Sequence, residues 1–233
     1  MESLSLNHVS ISPVRQVHSA LSIVNESMFT DTDILAVLTT NEHTHYAVVS
    51  ENKKHDWLLG RMAGKTAVRT YFMECLGLEI SFQNIEIISG GTAPRFRVLM
   101  QSHVPEDMYA LSLSHSHGVA VAQVVEKELH TSVGVDVERI RTFKQETMQG
   151  FLTPSEYQRL STVPSVNLEK EATLYWCLKE AYLKATGLGL KIHPRSVEVP
   201  AFALCNGRTT FTVAGYPVPV LARWTTIDDL YII

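Results

Sequence analysis

Two similar halves in one α+β chain, each a long helix packed on a small antiparallel sheet, are what three features of this 233-residue sequence predict. The order strand, helix, antiparallel strands occurs twice. Each half holds one long helical stretch that a glycine closes. The short strands come in neighbouring runs separated by turn residues. The repeat is one of architecture rather than of residues, and it implies a pseudo-dimer folded within a single chain.

Each element follows from local pattern. Residues 1–30 are Ser-rich and weakly patterned. Residues 33–38 (DILAVL) read as a buried strand. A long helix is expected over 51–76, ending at Gly77. Residues 85–88 and 96–99 read as short strands around a Gly90-Gly91 turn. Residues 111–115 and 119–125 form two more, joined by Ser116-His117-Gly118. The joint between halves falls near 126–131, dividing 1–128 from 129–233.

In the second half, residues 133–138 alternate valine with polar residues as a strand does. Thr153-Pro154-Ser155-Glu156 is a helix start, with a threonine cap, proline at the first position and glutamate at the third. Asn167 is expected to cap a long helix running to Thr186, with Gly187 ending it. Residues 196–199, 210–213 and 218–224 read as closing strands.

Apolar residues make up 45% and charged residues 19%, the balance of a soluble domain. The formal net charge of -4 speaks against general nucleic-acid binding. Residues 139–195 nevertheless carry nine basic and five acidic side chains, a local excess able to receive an acidic partner. Cys75, Cys177 and Cys205 are isolated and odd in number, so they read as reduced thiols. The N-terminus lacks the basic and apolar regions of a signal peptide. No apolar run reaches the ~20 residues that span a bilayer. These features point to a soluble cytoplasmic protein.

Chemistry concentrates in three places. In Gly134-Val135-Asp136-Val137-Glu138, strand alternation turns Asp136 and Glu138 to one face. In Trp176-Cys177-Leu178-Lys179-Glu180-Ala181-Tyr182-Leu183-Lys184, helical spacing puts Trp176, Glu180 and Lys184 on one stripe. Three acids beside a lysine suit a hard divalent cation bridging a phosphate. Taken singly, they also suit a solvated strand face and an ordinary Glu180–Lys184 surface pair. Trp176 makes that stripe partly buried, where charges need partners or a ligand.

The second place is Leu113-Ser114-His115-Ser116-His117-Gly118. It lacks the acid partner and nucleophile elbow of a hydrolase, and a structural histidine at a turn is the plain reading. The third is Gly60 to Arg69, where Gly-x-x-x-Gly-Lys-Thr is one residue too short for a P-loop and lies inside a helix. Arg61, Lys65 and Arg69 share one helix face, either a solvated basic face or a cationic stripe for phosphate.

Gly134-Val-Asp-Val-Glu138, followed by Trp176-x-x-Lys-Glu-x-x-x-Lys184 and then Gly187-Leu188-Gly189-Leu190, resembles the signature of the 4'-phosphopantetheinyl transferases, in the longer Sfp-type subgroup. The resemblance covers most of the chain from about residue 33. It implies transfer of the phosphopantetheine arm of coenzyme A to a serine of an acyl or peptidyl carrier protein, with Mg2+ as cofactor. By the same resemblance, Asp136, Glu138 and Glu180 hold the Mg2+. Glu180 is the base for the serine hydroxyl, Lys184 contacts phosphate and leaving group, and Lys179 matches the motif as a phosphate contact or salt bridge. His115 matches a histidine on the 3'-phosphate, and His117 is a turn residue. Arg61 and Lys65 fall where the family carries basic residues for that phosphate, with Arg69 less well matched. The family's Gly-Lys-Pro element is replaced by Gly91-Thr92-Ala93-Pro94-Arg95, with Arg95 as substitute.

The family docks its partner on the basic segment with Phe143, Phe151 and Leu152, where Arg139, Arg141 and Lys144 can steer an acidic carrier. The duplicated chain implies a monomer. Two other function classes fit the same residues: a non-catalytic coenzyme A or carrier-binding module, and a Mg2+-dependent pyrophosphatase of nucleotide cofactors.

Overall fold

The computed structural model describes residues 19–90, 93–99, 104–130, 132–187, 189–200, 207–213 and 216–233. The first half runs β1 (Ser19–Asn25), α1 (Asp31–Leu35), α2 (Thr40–Tyr46), α3 (Glu51–Leu76), β2 (Ile85–Ile88), β3 (Arg95–Val98), β4 (Tyr109–Ser116) and β5 (Val119–Glu126). The second runs β6 (Glu138–Arg139), α4 (Gln145–Phe151), α5 (Pro154–Leu160), α6 (Ser165–Ala185), β7 (Gly207–Val213), β8 (Tyr216–Trp224), β9 (Thr226–Ile227) and β10 (Tyr231–Ile232). This is a mixed fold of helices and antiparallel sheets.

The long helix α3 matches its expected span, because its apolar side chains recur at three- and four-residue steps. Leu58, Leu59, Met62, Ala63, Ala67, Val68, Tyr71 and Phe72 are all buried. Gly77 ends it in the left-handed conformation at φ 65°, donating to Met73 O at 3.1 Å, while Leu78 N donates to Phe72 O at 3.0 Å. The helix lies on an antiparallel sheet ordered β1-β5-β4. The β4–β5 hairpin closes through His117 (φ 47°) and Gly118 (φ 79°), two left-handed residues whose twist suits the strands.

Strand β5 serves two cores. Ala120, Ala122 and Val124 face α3, whereas Val119 and Val121 face away from it. The outward pair packs with Ile23, Val135, Val137, Ile227, Tyr231 and Ile233. This third cluster joins the halves and sets the 135–138 segment against the first sheet. The alternation predicted there holds in part: Val135 and Val137 are buried in that cluster and Asp136 and Glu138 meet serines of β4, whereas Val133 is only half-buried and Asp136 is itself buried.

Four expectations need correction. Residues 33–38 contribute to helix α1, not a strand. Thr30 and Asp33 close a capping box, and Ile34 and Leu38 are buried at helical spacing. Residues 133–137 pair in no ladder, and only Glu138 and Arg139 pair, with β10. Serines of β4 hold the segment instead: Val135 N donates to Ser112 Oγ at 3.0 Å and Ser114 Oγ donates to Asp136 Oδ1 at 2.7 Å. Residues 196–199 form no strand, because side chains occupy the backbone groups a ladder would need. Val199 N donates to Glu156 Oε1, and Val199 O accepts from Arg159. Helix α6 begins at Ser165, two residues before Asn167, behind Pro164 with no side-chain cap. It stops as expected at Thr186 and Gly187 (φ 67°).

The Thr153 capping box is present in full, with Thr153 N to Glu156 Oε2 at 2.7 Å and Glu156 N to Thr153 Oγ1 at 3.2 Å. Cys75 and Cys177 are free thiols, both pushed up in pKa by burial; Cys205 lies outside the described residues, as do residues 1–18, Gly91, Thr92 and Leu188. Among the described residues, no helix is long and apolar enough to cross a membrane.

Candidate functional site

Two structural facts bring the acidic residues together. The 134–138 segment runs along β4, and α6 crosses it closely enough that a Cβ on Gly134 would sit 1.8 Å from Ala181 O. Only glycine permits that approach. Asp136 then meets the α6 stripe: Lys184 Nζ contacts Asp136 Oδ1 at 2.6 Å and donates to Val135 O at 3.3 Å. Lys184 thus pairs across the chain with Asp136, not along the helix with Glu180. Glu138 accepts from Trp176 Nε1 at 2.8 Å, and Trp176 leans edge-on against Phe151 at 5.2 Å.

The electrostatics are those of crowded acids. Burial raises the pKa of both Glu138 and Glu180, and the charge of Asp136 adds to each. Glu138 also raises Glu180, against the opposing pull of Lys184. Asp136 Oδ2 is buried with no hydrogen-bond partner, and Glu180 makes no hydrogen bond or ion pair, among the described residues. Among those residues, no group of three or more His, Cys, Asp or Glu side chains is arranged to hold a metal ion. The three carboxylates are coupled electrostatically, and Lys184 supplies the cation that touches Asp136. The donor chemistry still fits Mg2+: every ligand atom on offer is oxygen, and one is buried and orphaned.

His115 lies on the other face of β4, towards the N-terminal turns of α3. It lines a cleft of about 550 Å3 with His45, Lys53, Asp56, Trp57, Ser89 and Gly90. His115 Nδ1 stands 3.8 Å from Asp56 Oδ2. Behind the cleft, Arg61 is buried, stacks over Trp57 at 4.4 Å and donates to Ser89 Oγ. Desolvation pulls its pKa down to about 10, and its Nε has no hydrogen-bond partner among the described residues. Lys53, Trp57 and Ser89 went unremarked in the sequence, because nothing local connects the first turn of α3 with the end of β2.

Other expected contacts are placed elsewhere. Lys65 is fully buried, with Nζ on Glu42 Oε2 at 2.7 Å, Phe82 O at 3.0 Å and Ile85 O, so all three ammonium protons are used. Lys179 is its counterpart: fully buried, on Glu156 Oε2 at 2.7 Å, Pro194 O at 3.1 Å and Val197 O at 2.5 Å. Neither lysine is free to meet a phosphate, and the expected cationic stripe does not exist. Arg69 pairs with Glu79 at 3.6 Å and covers Phe82, away from the cleft. Arg95 is exposed at the start of β3 and lines no part of the cleft. Phe151 and Leu152 are core, not docking surface, while Arg139, Arg141 and Lys144 are exposed as expected.

The family model described as the 4'-phosphopantetheinyl transferase superfamily matches residues 132–226. That span includes every acid of the site. The chain is 31% identical over 130 residues to the 4'-phosphopantetheinyl transferase HetI of Nostoc sp., covering 55% of this chain and 52% of that protein. It thus spans about half the length of HetI. It is 25% identical over 170 residues to the 4'-phosphopantetheinyl transferase psf-1 of Bacillus pumilus, covering 73% and 67%. It is 31% identical over 93 residues to a holo-[acyl-carrier-protein] synthase of Anoxybacillus flavithermus, covering 40% and 75%.

Proposed function

The chain belongs to the 4'-phosphopantetheinyl transferase superfamily, and from that premise we propose that it moves the 4'-phosphopantetheine group of coenzyme A to a serine of an acyl or peptidyl carrier protein. The observation that carries this reading is the set Asp136, Glu138 and Glu180, electrostatically coupled around Lys184. The serine Oγ forms a bond to the phosphorus next to pantetheine. The bridging P–O bond breaks, and its electron pair leaves with adenosine 3',5'-bisphosphate. Glu180, with a raised pKa and no hydrogen bond or ion pair among the described residues, takes the serine proton. Lys184 lies beside it to offset charge on the phosphate oxygens. Asp136, Glu138 and Glu180 would hold a Mg2+, which supplies Lewis-acid neutralisation of the pyrophosphate.

His115, Lys53 and Ser89, backed by Arg61, line a cleft whose polar groups suit the adenosine phosphates of coenzyme A. In this reading residues 1–128 serve the nucleotide, and residues 129–233 serve the metal, the proton and the carrier. We further infer that the halves descend from one duplicated unit. The support is a repeated staple: Thr39, Glu42 and Lys65 recur as Thr153, Glu156 and Lys179 at one constant sequence offset, with the same bonds. A duplicated unit favours a monomer, and the use of coenzyme A favours a cytoplasmic setting.

Incubation with coenzyme A, Mg2+ and an apo-carrier protein tests the reading by intact mass. Gain of one phosphopantetheine arm on the carrier supports it. Free 4'-phosphopantetheine would instead show a pyrophosphatase, and no turnover a binding module.

A further inference from the structure

We propose that Glu156 is a positioning residue for the carboxylate site: through Lys179 it sets the rotation of α6, and so the direction in which Glu180 and Lys184 leave that helix. The inference rests on the metal reading above, and its test separates the two.

Lys179 immediately precedes Glu180, and successive helical residues point about 100° apart. Whatever fixes the azimuth of one therefore fixes the other. Lys179 is held on three sides, by Glu156 Oε2, Pro194 O and Val197 O. Glu156 is itself immobilised. Oε2 accepts from Thr153 N at 2.7 Å, and Oε1 accepts from Val199 N at 2.7 Å. Both side chains are fully buried, so water cannot substitute for a lost partner. One carboxylate thus ties the start of α5, the 194–199 turn and α6 into a rigid unit. None of its bonds involves Asp136, Glu138 or a group of the cleft.

The chain carries its own control. Glu42 makes the same staple with Lys65, Thr39 N and Ile87 N. The offset that takes Lys179 to Lys65 takes Glu180 to Thr66, Lys184 to Thr70, Asp136 to Ser22 and Glu138 to Val24. The first half keeps the staple and lacks the acids. A purely structural role predicts equal consequences for Glu42 and Glu156, whereas a positioning role does not.

Mn2+ binding to the full chain, measured by calorimetry without coenzyme A or carrier, is the readout, with thermal melting alongside. Glu156→Gln is expected to weaken Mn2+ binding about tenfold or more, the scale on which residues that orient metal ligands act. Glu42→Gln is expected to lower the melting temperature comparably and leave Mn2+ affinity within about twofold, as for distant sites. Should Glu156→Gln not fold, Glu156→Gln combined with Lys179→Met removes the stranded charge, restores folding and still binds Mn2+ weakly. Wild-type affinity in a folded Glu156→Gln or double variant overturns the inference, as does equal weakening by Glu42→Gln. A wild-type chain that binds no Mn2+ overturns the metal reading and this inference with it.

Discussion

Glu180 is the one acid of the site with neither hydrogen bond nor ion pair among the described residues, while burial and two neighbouring acids raise its pKa. In the roles proposed for it, as proton acceptor and metal ligand together, Glu180→Ala is expected to reduce carrier labelling about a thousandfold or more. Removing a crowded buried charge relieves repulsion, so the melting temperature stays level or rises; a clear fall would contradict the assignment. His55 is a second residue with a readable consequence. It bridges Asp31 Oδ1 at 2.9 Å and Glu26 Oε2 at 3.3 Å, and the Asp31 hydrogen bond raises its pKa above the ordinary 6.5. A folded value above the unfolded one means the contribution is complete below about pH 6.5 and vanishes as pH rises through the folded value. Denaturant unfolding should show wild type more stable than His55→Gln by less than about 1 kcal/mol near pH 5.5, and indistinguishable near pH 9.

At the scale of elements, the site depends on how closely one segment lies against one helix. Gly134 meets Ala181 O and Ala185 N at distances no side chain tolerates, 1.8 and 2.6 Å from a built Cβ. Gly134→Ala must push the segment away from α6 by more than about 1 Å, at an overpacking cost of ~1–3 kcal/mol. Asp136 and Lys184 would separate, and a misplacement of that size lowers turnover about a hundredfold. Unchanged kcat together with an unchanged melting temperature would contradict this packing. Helix α3 and the hairpin β4–β5 were legible in advance, because their signals lie within a few residues: a periodic stripe, a glycine stop, a two-residue turn. Residues 33–38 misled, because an apolar run looks alike in a strand and a short helix, and the deciding cap at Thr30 precedes the run. Residues 196–199 misled for another reason. Their backbone groups are claimed by Arg159 and Glu156, tens of positions away.

Across the whole molecule, two helix-on-sheet cores meet through Val119, Val121, Val135 and Val137, and the acids lie beside that junction. A ligand that binds only the assembled site stabilises the entire fold. Mg2+ at about a hundredfold excess over its Kd should stabilise by ~2.7 kcal/mol, raising the melting temperature by about 5 °C or more. Asp136→Asn should lose that rise, and an equal rise in the variant would place the ion elsewhere. The mixed class of helices and antiparallel sheets, the long helices, the shared face of Asp136 and Glu138 and the family signature are all readable along the chain, since caps and periodicities act over neighbouring residues. Which cations are free to act depends instead on long-range packing. Lys65, Lys179 and Lys184 look alike in the chain, yet two are sealed into buried pairs with Glu42 and Glu156, while Lys184 reaches Asp136 from 48 positions away. A buried charge must find its partner wherever the fold supplies one, and no local pattern records that partner.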